Sequence, residues 1–349
     1  MGNTQSFFRE AILENNVTLV RQLLIAEPEL VEFRNYQGFT ALCFAAQKGY
    51  NELVELLLSF NADIEDSNNL DSASPLVIAV VQNHVSTCRI LLRKGANCNI
   101  VTKTGKTPLG VATIEGHQEM VDLLLEHKAN PEKGFKDGSP LIVAVERNYL
   151  CICESLLKAG ASSNCVKANG FTALSLAAYY GYEEILELLL AYNADIEGQD
   201  GILSPLIHAV QRNQVHTCSI LLWRGAKTDY LKKEFDSRLI DSNSDYFQLT
   251  SPLLKASVLG HSRIVTLLLE HGAGVHIRNN NSQSTPILLA SLEGHTDVVQ
   301  QLLQYGANWK DQDVFGRHPL HVAAMKNGYG VVELLVRSGC PVDLMVRFT

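Results

Sequence analysis

The sequence has little of what secreted, membrane-spanning or disulfide-built proteins require. No apolar run approaches the ~20 residues of a membrane-spanning helix, and the first residues lack the charged start and apolar stretch of a signal peptide. Eight cysteines in 349 residues are too few for a disulfide scaffold, so we interpret them as reduced thiols. We therefore expect a cytoplasmic protein.

Positive charge is also scarce. Lysine and arginine number 29 against 37 aspartates and glutamates, which leaves a formal net charge of −8. Surfaces that bind nucleic acid neutralise phosphates with basic side chains, and this balance argues against such a surface. We expect no nucleic-acid partner.

Motifs for catalysis and metal binding are missing. The sequence contains no phosphate-cradling glycine loop, no H-E-x-x-H and no nucleophile elbow. Cys151 and Cys153 are close together, but Cys153 aligns with Cys88 and Cys218 and is interpreted as a core thiol rather than a ligand. We expect no enzymatic activity, no cofactor and no metal site.

What the sequence does contain is a period. The stretch "GFTALCFAAQKGYNELVELLLSFNADIE" from Gly38 to Glu65 returns as "GFTALSLAAYYGYEEILELLLAYNADIE" from Gly170 to Glu197, with 19 of 28 positions identical. A [Thr/Ser]-[Pro/Ala]-Leu triplet recurs at steps of 32 to 34 residues, with one step of 47 that contains an insertion. The triplets begin at Thr40, Ser74, Thr107, Ser139, Thr172, Ser204, Ser251 and Thr285, and a variant begins at His318.

Each unit predicts two helices. Thr107 suits the cap of a first helix, and Pro108 is tolerated in its first turn because the missing N–H has no partner there. Leu109 and Ala112 share one face, Gly116 ends this helix, and a leucine-rich second helix follows. Each unit therefore reads as helix, turn, helix and loop.

The pattern T-P-L-x-x-A, G-H and L-L-x-x-G-A at a step near 33 resembles the ankyrin repeat. Nine units from Gly38 to Leu344 match it, and a degenerate tenth from Ser6 to Leu24 places Phe8, Ala11 and Ile12 at the apolar positions. The resemblance implies an all-α ankyrin-repeat solenoid of stacked helix-turn-helix units with connecting loops or β-hairpins.

The domain organisation follows from the units. It comprises an N-terminal tail with a degenerate capping repeat at 1–37, repeats 1–6 at 38–229, an inserted loop at 230–248, and repeats 7–9 with a C-terminal cap at 249–349. The stretches 74–97 and 204–227 also agree at 14 of 24 positions, which indicates duplication of a four-repeat block.

Asparagine often takes the place of glycine at the helix ends. Because asparagine is the next-best residue for left-handed backbone, we expect those turns to survive. Lys128 takes the place of Gly95 and Gly160, and we expect a backbone cost of roughly 1 kcal/mol there. The asparagines are Asn61, Asn83, Asn148, Asn193, Asn213 and Asn327.

The resemblance also implies where a partner binds. Ankyrin repeats stack their first helices along a concave face, and members of the family usually bind proteins there. Two residues per unit, just before the turn between the helices, point into that face. We expect a non-catalytic interaction module or adaptor that binds a peptide or folded protein through Arg147, Tyr179, Tyr180, Arg212, Val258, Leu259, Leu292 and Met325.

This expectation rests mainly on one difference between the two copies. Gln47-Lys48 in the first copy is replaced by Tyr179-Tyr180 in the second. Tyrosine is enriched at binding hot spots and supplies a large area at low entropy cost. The alternative is that Tyr179 packs on the next repeat and Tyr180 shields the groove. The insertion at 230–248 is equally open, as a binding finger, a phosphorylatable flap or a tolerated surface loop.

The start "MGNTQS" suggests a second function. Gly2 and Ser6 satisfy the myristoylation pattern M-G-x-x-x-[ST], although Ser6 also suits the cap of a first helix. One acyl chain supports only reversible membrane binding, so a membrane partner is expected only if Gly2 is acylated. The alternative functions are a peripheral, membrane-tethered adaptor and a regulatory subunit of an enzyme complex.

Overall fold

The computed structural model describes residues 2–35, 38–67, 73–135, 138–198, 204–229 and 251–342. Within these ranges the regular structure is helical, and pairing between extended residues is confined to isolated bridges such as Arg34 with Thr40. The predicted all-α fold of paired helices is confirmed. The chain divides into two compact units at Gly170, the residue where the second copy begins.

Unit 1 contains the degenerate repeat and four full repeats. In each full repeat the odd-numbered first helix packs on the even-numbered second helix, and within the unit consecutive first helices from α3 to α9 pack on one another. Its helices are α1 (Gly2–Leu13), α2 (Val17–Ala26), a 3-10 helix (Pro28–Glu32), α3 (Ala41–Lys48), α4 (Asn51–Ser59), α5 (Pro75–Val81), α6 (Val85–Arg93), α7 (Pro108–Glu115), α8 (Gln118–Glu126), α9 (Pro140–Glu146) and α10 (Leu150–Lys158).

Unit 2 contains five repeats built on the same plan. First helices again pack on second helices and on the first helix of the following repeat. The helices are α11 (Ala173–Tyr180), α12 (Glu183–Ala191), α13 (Pro205–Gln211), α14 (Val215–Trp223), α15 (Pro252–Leu259), α16 (Ser262–Glu270), α17 (Pro286–Glu293), α18 (Thr296–Gln304), α19 (Pro319–Met325) and α20 (Tyr329–Arg337).

Local chemistry sets the helix ends as the sequence predicts. The Thr107 hydroxyl accepts a hydrogen bond from the Gly110 N–H at 3.1 Å, and Pro108 occupies the first turn of α7. The turn residues adopt left-handed backbone, with φ of 65° at Lys128. All six asparagines named above also have positive φ, so this prediction is confirmed.

The core of each repeat lies between its two helices. Cys88, Cys153 and Cys218 are fully buried in second helices, and burial raises the pKa of each thiol to about 12. These three cysteines therefore pack as small apolar side chains, as the repeat alignment predicts.

The N-terminal pair of helices matches the degenerate repeat. Phe8, Ala11 and Ile12 of α1 are buried, as expected for the apolar positions of a first helix. The interpretation of Ser6 as a helix cap is wrong, because α1 already begins at Gly2 and Ser6 lies inside it. No helix in the described ranges is both long and apolar enough to cross a membrane. The insertion predicted at 230–248 lies outside the described residues.

Candidate partner-binding surface

The predicted partner-binding residues lie in the last turn of the first helices or directly after it. Seven of the eight candidates belong to unit 2, and the eighth, Arg147, follows α9 in unit 1. Tyr180 is 42% exposed and Met325 is 64% exposed. Among the other candidates Arg147, Arg212 and Leu259 are exposed, and Tyr179 and Leu292 are half-buried.

Val258 is the exception, and the expectation that it forms part of an exposed strip is wrong. Its side chain is only 7% exposed and packs with Leu254 and Leu289 against Ile277. The Nε2 of His295 in the next repeat lies 2.9 Å from the Val258 carbonyl oxygen and donates to it. Of the adjacent residues Val258 and Leu259, the first therefore contacts the next repeat, and only the second is exposed.

Unit 1 has a shallow groove of about 370 Å³ beside its first helices. Val77, Val81 and Ile114 supply apolar walls, and the polar end of the groove is formed by Lys106 and Glu115. Arg147 is not among the residues that line this groove. The groove offers mainly apolar contact area.

Unit 2 has an aromatic cluster made of Phe171, Tyr179, Tyr180, Tyr182 and His208. Tyr179 makes edge-on contacts with Phe171 at 6.1 Å and with Tyr180 at 5.2 Å between ring centroids. Tyr180 stacks on Tyr182 at 5.4 Å. Edge-on and stacked rings at such separations attract one another, so the cluster holds its tyrosines in a defined arrangement.

His208 lies beneath this surface. Its ring is 4.5 Å from the Phe171 ring and only 3% exposed, and neither ring nitrogen has a hydrogen-bond partner. Burial lowers the pKa of His208 to about 4, so the imidazole is neutral at physiological pH. His208 therefore acts as an aromatic support for Tyr179, 6.1 Å away.

Arg212 covers the other side of Tyr179. The guanidinium carbon lies 4.6 Å from the Tyr179 ring centroid, which is a cation–π contact. This contact joins two of the predicted site residues that come from consecutive repeats. The half-buried position of Tyr179 is explained by Phe171, His208 and Arg212 together.

The first copy builds a simpler surface, in which the central ring is Phe44, at the position that Leu176 occupies in the second copy. There Phe44 meets Tyr50 edge-on at 6.4 Å, and the Lys48 ammonium lies 5.7 Å from the Phe44 ring centroid. The two copies share a scaffold and differ in the side chains at the end of the first helix. Only the second copy has the five-ring cluster among the described residues.

The sequence analysis missed Phe171, Tyr182 and His208 as parts of the site. A signal existed for His208, because Ile78 occupies that position in the matching repeat of unit 1 and is buried there. Histidine at a buried aliphatic position is unusual. Phe171 and Tyr182 carried no such signal, since Phe39 and Tyr50 stand at the same places in the first copy.

A second exposed group lies at the C-terminal repeat of unit 2. The Arg317 guanidinium carbon is 4.8 Å from the ring centroid of exposed Phe315, and Arg317 Nη1 lies 4.0 Å from the Met325 sulfur. Arg317 also pairs with Asp313 at 2.7 Å. Met325 therefore belongs to an exposed group whose charge is already neutralised.

Comparison with known families decides the classification. The family model for ankyrin repeats, described as "Ankyrin repeats (3 copies)", matches residues 8–102, 60–135, 88–167, 141–234 and 253–346. The chain belongs to the ankyrin-repeat family. Ankyrin repeats are generally protein–protein interaction modules and are generally non-catalytic.

Relatives of this ankyrin-repeat protein differ widely in what surrounds their repeats. The chain is 31% identical over 289 residues to "Ankyrin repeat and KH domain-containing protein mask-1" of Caenorhabditis elegans, covering 74% of this chain and 11% of that protein. It is 30% identical over 243 residues to the "B-cell lymphoma 3 protein homolog" of Mus musculus, covering 66% and 51%.

A third relative is the human "Transient receptor potential cation channel subfamily A member 1". It is 27% identical over 322 residues, which cover 88% of this chain and 28% of the channel. The matched region thus spans between about a tenth and about half of the length of these three relatives. The similarity identifies the repeats that they share.

Proposed function

We propose that this ankyrin-repeat protein is a non-catalytic adaptor whose unit 2 binds a protein partner through the aromatic cluster and Arg212. The partner is a peptide or a folded domain that lies along the ends of the first helices. Tyr180 provides the main exposed aromatic contact, and Leu259, Leu292 and Met325 extend the surface along unit 2.

The observation that carries this proposal is the difference between the two copies. Identical residues at 19 of 28 positions keep the same helix pair, while Gln47-Lys48 is replaced by Tyr179-Tyr180. The replacement places a 42% exposed tyrosine on a supporting group of rings. Exposed, fixed aromatic side chains are typical of binding hot spots.

The chain itself provides the best test variant. Tyr179→Gln combined with Tyr180→Lys installs the residues that the first copy accepts at the same positions. Wild type and variant are immobilised at equal density, and quantitative mass spectrometry measures how much of each bound protein they retain. Loss of a hot spot commonly costs ~2 kcal/mol or more, so we expect about thirtyfold weaker retention of the specific partners.

Two further variants separate binding from folding. Tyr180→Lys alone leaves the contacts of Tyr179 with Phe171 and His208 in place. Tyr305→Ala is the matched control, because Tyr305 is also 42% exposed but follows the second helix α18 and not a first helix. This variant should retain the same proteins as wild type. If the exchanged pair of tyrosines leaves the retained proteins unchanged while helicity is intact, the surface is assigned incorrectly.

We propose in addition that the protein is cytoplasmic and that it binds membranes reversibly. Gly2 begins α1, and Phe7 on that helix is exposed and apolar. A myristoyl chain on Gly2 beside Phe7 would favour a membrane surface without fixing the protein there. Intact-mass spectrometry after expression in a eukaryotic host decides the matter, because the absence of an acyl mass on Gly2 contradicts tethering.

A further inference from the structure

Arg212 is a positioned cation without a carboxylate partner in the described part of the chain. Three other arginines of unit 2, Arg278, Arg317 and Arg337, pair with Asp311, Asp313 and Glu333. The Arg212 guanidinium has no such carboxylate among the described residues, and it is held 4.6 Å from the Tyr179 ring centroid.

Arg212 combines the lack of a carboxylate partner with a position over a ring. Arg224 and Arg263 of the same unit also have no carboxylate partner, but neither lies over a ring in the described residues. Arg317 lies over the Phe315 ring, but its charge is paired with Asp313. A guanidinium held by a ring still has N–H donors that match a carboxylate in a two-point contact, and the cation–π contact reduces the freedom lost on binding.

The described aromatic cluster around Arg212 contains no second positive charge. His208 is neutral and buried, so it adds no positive charge and no available donor to the exposed surface. The tyrosines present hydroxyl groups and ring edges. The chain as a whole has a formal net charge of −8, so attraction of acidic partners in general is not expected.

Apolar side chains lie at the ends of the next three first helices. Leu259 occupies the repeat position of Arg212, whereas Leu292 and Met325 stand one position earlier in their repeats, next to the exposed charged residues Glu293 and Lys326. Each of the three apolar side chains is at least partly exposed. Exposed apolar side chains at the ends of successive first helices favour a partner segment with apolar residues of its own.

We infer that unit 2 binds a protein segment in which an aspartate or glutamate, contacting Arg212, is followed or preceded by apolar residues that contact Leu259, Leu292 and Met325. This inference rests on the proposed function and adds the chemistry of the partner. The carboxylate accepts hydrogen bonds from the Arg212 guanidinium edge, while Tyr180 contacts the neighbouring residue of the segment.

A random library of unmodified dodecapeptides displayed on phage tests the inference on the full-length protein. Selection is run on wild type, on Arg212→Glu and on the matched control Arg224→Glu, which makes the same charge change after the second helix of the same repeat. Wild type and the control should enrich peptides that combine an acidic residue with apolar residues. Arg212→Glu should lose them and enrich basic residues instead.

Synthetic peptides from the wild-type selection then provide the quantitative measurement. Replacing the acidic residue by its amide, or Arg212 by glutamine, should each weaken binding about tenfold, and the two changes together should cost little more than either alone. Circular dichroism checks that both arginine variants keep their helicity.

The outcomes separate the two proposals. Peptides that require Tyr180 but carry no acidic residue and bind Arg212→Gln equally well overturn this inference and leave the proposed function standing. A selection that yields no peptide dependent on Tyr180 contradicts both.

Discussion

At the scale of single residues, the backbone at turns and close approaches decides which substitutions the repeats accept. Lys128 and Gly160 occupy equivalent turns after the second helix, with φ of 65° and 94°. A lysine in left-handed backbone is strained because its Cβ approaches the following carbonyl, and glycine has no Cβ. The same turn is thus more costly in one repeat than in the next.

Lys128→Gly should therefore stabilise unit 1. The Lys128 N–H donates to the Leu125 carbonyl oxygen at 2.9 Å, and Asn99 Nδ2 donates to the Lys128 carbonyl oxygen at 3.3 Å. Both hydrogen bonds use only the backbone of residue 128 and remain in the variant. A gain of ~1 kcal/mol corresponds to a rise of roughly 2–4 °C in the melting temperature of a unit of this size. The reverse change at Gly160, Gly160→Lys, should lower it, and an unchanged midpoint in both would contradict the argument.

Gly110→Ala should destabilise the protein, although alanine is the better helix former by about 1 kcal/mol. A Cβ at Gly110 would overlap the Gly134 carbonyl oxygen of the neighbouring loop. Backbone must move to relieve that contact, and overpacking of this kind typically costs about 1–3 kcal/mol. Thermal melting followed by circular dichroism measures it, and a higher melting temperature would show that the loop moves freely.

At the scale of one element, α13 carries a buried histidine where the matching helix α5 carries isoleucine. The pKa of His208 is lowered by burial from 6.5 to about 4. Between these values the unfolded chain binds a proton that the folded chain does not, so stability falls as the pH decreases from about 6.5 toward 4. The effect is absent above pH 6.5, where the imidazole is neutral in both states.

His208→Ile should remove this part of the pH dependence. At about pH 5 the unfavourable proton linkage costs wild type roughly 2 kcal/mol of its free energy of unfolding, and at about pH 7.5 it costs almost nothing. The stability difference between His208→Ile and wild type should therefore be larger at pH 5 than at pH 7.5 by about this amount. Loss of two unpartnered buried nitrogens adds a gain at both pH values. Denaturant titrations at the two pH values test this, and equal differences would show that His208 is not neutral when folded.

At the scale of the whole molecule, stability is local. In each unit the substantial helix contacts join helices of one repeat or of consecutive repeats. Such arrays behave nearly as a sum of repeats and of the interfaces between neighbours. A substitution should therefore change its own repeat and the adjacent ones more than distant repeats.

Hydrogen exchange resolves this prediction along the chain. Lys128→Gly should slow amide exchange in α7 to α10, and His208→Ile should slow it in α11 to α15, each with little effect on the other unit. In the double variant each region should show the same slowing of amide exchange as in the corresponding single variant. A change that spreads evenly over both units would mean that the whole chain unfolds as one cooperative body.

The sequence by itself determined the repeat period, the helix pairs, the side-chain caps of most first helices and the left-handed turns. These features depend on residues within a few positions of one another, such as Thr107 with Gly110 or Asn83 at the end of its helix. The core thiols Cys88, Cys153 and Cys218 were also predictable, because the period assigns each of them to the inner side of a second helix.

Only the tertiary structure decided which candidate residues are exposed. Val258 and Leu259 are adjacent, yet contact with Leu289 of the next repeat buries the first and leaves the second exposed. Tyr179 is held by His208 and Arg212, which lie about one repeat away in the sequence. Side chains that meet across repeats have no signature within either repeat, because their contact depends on how consecutive helix pairs stack.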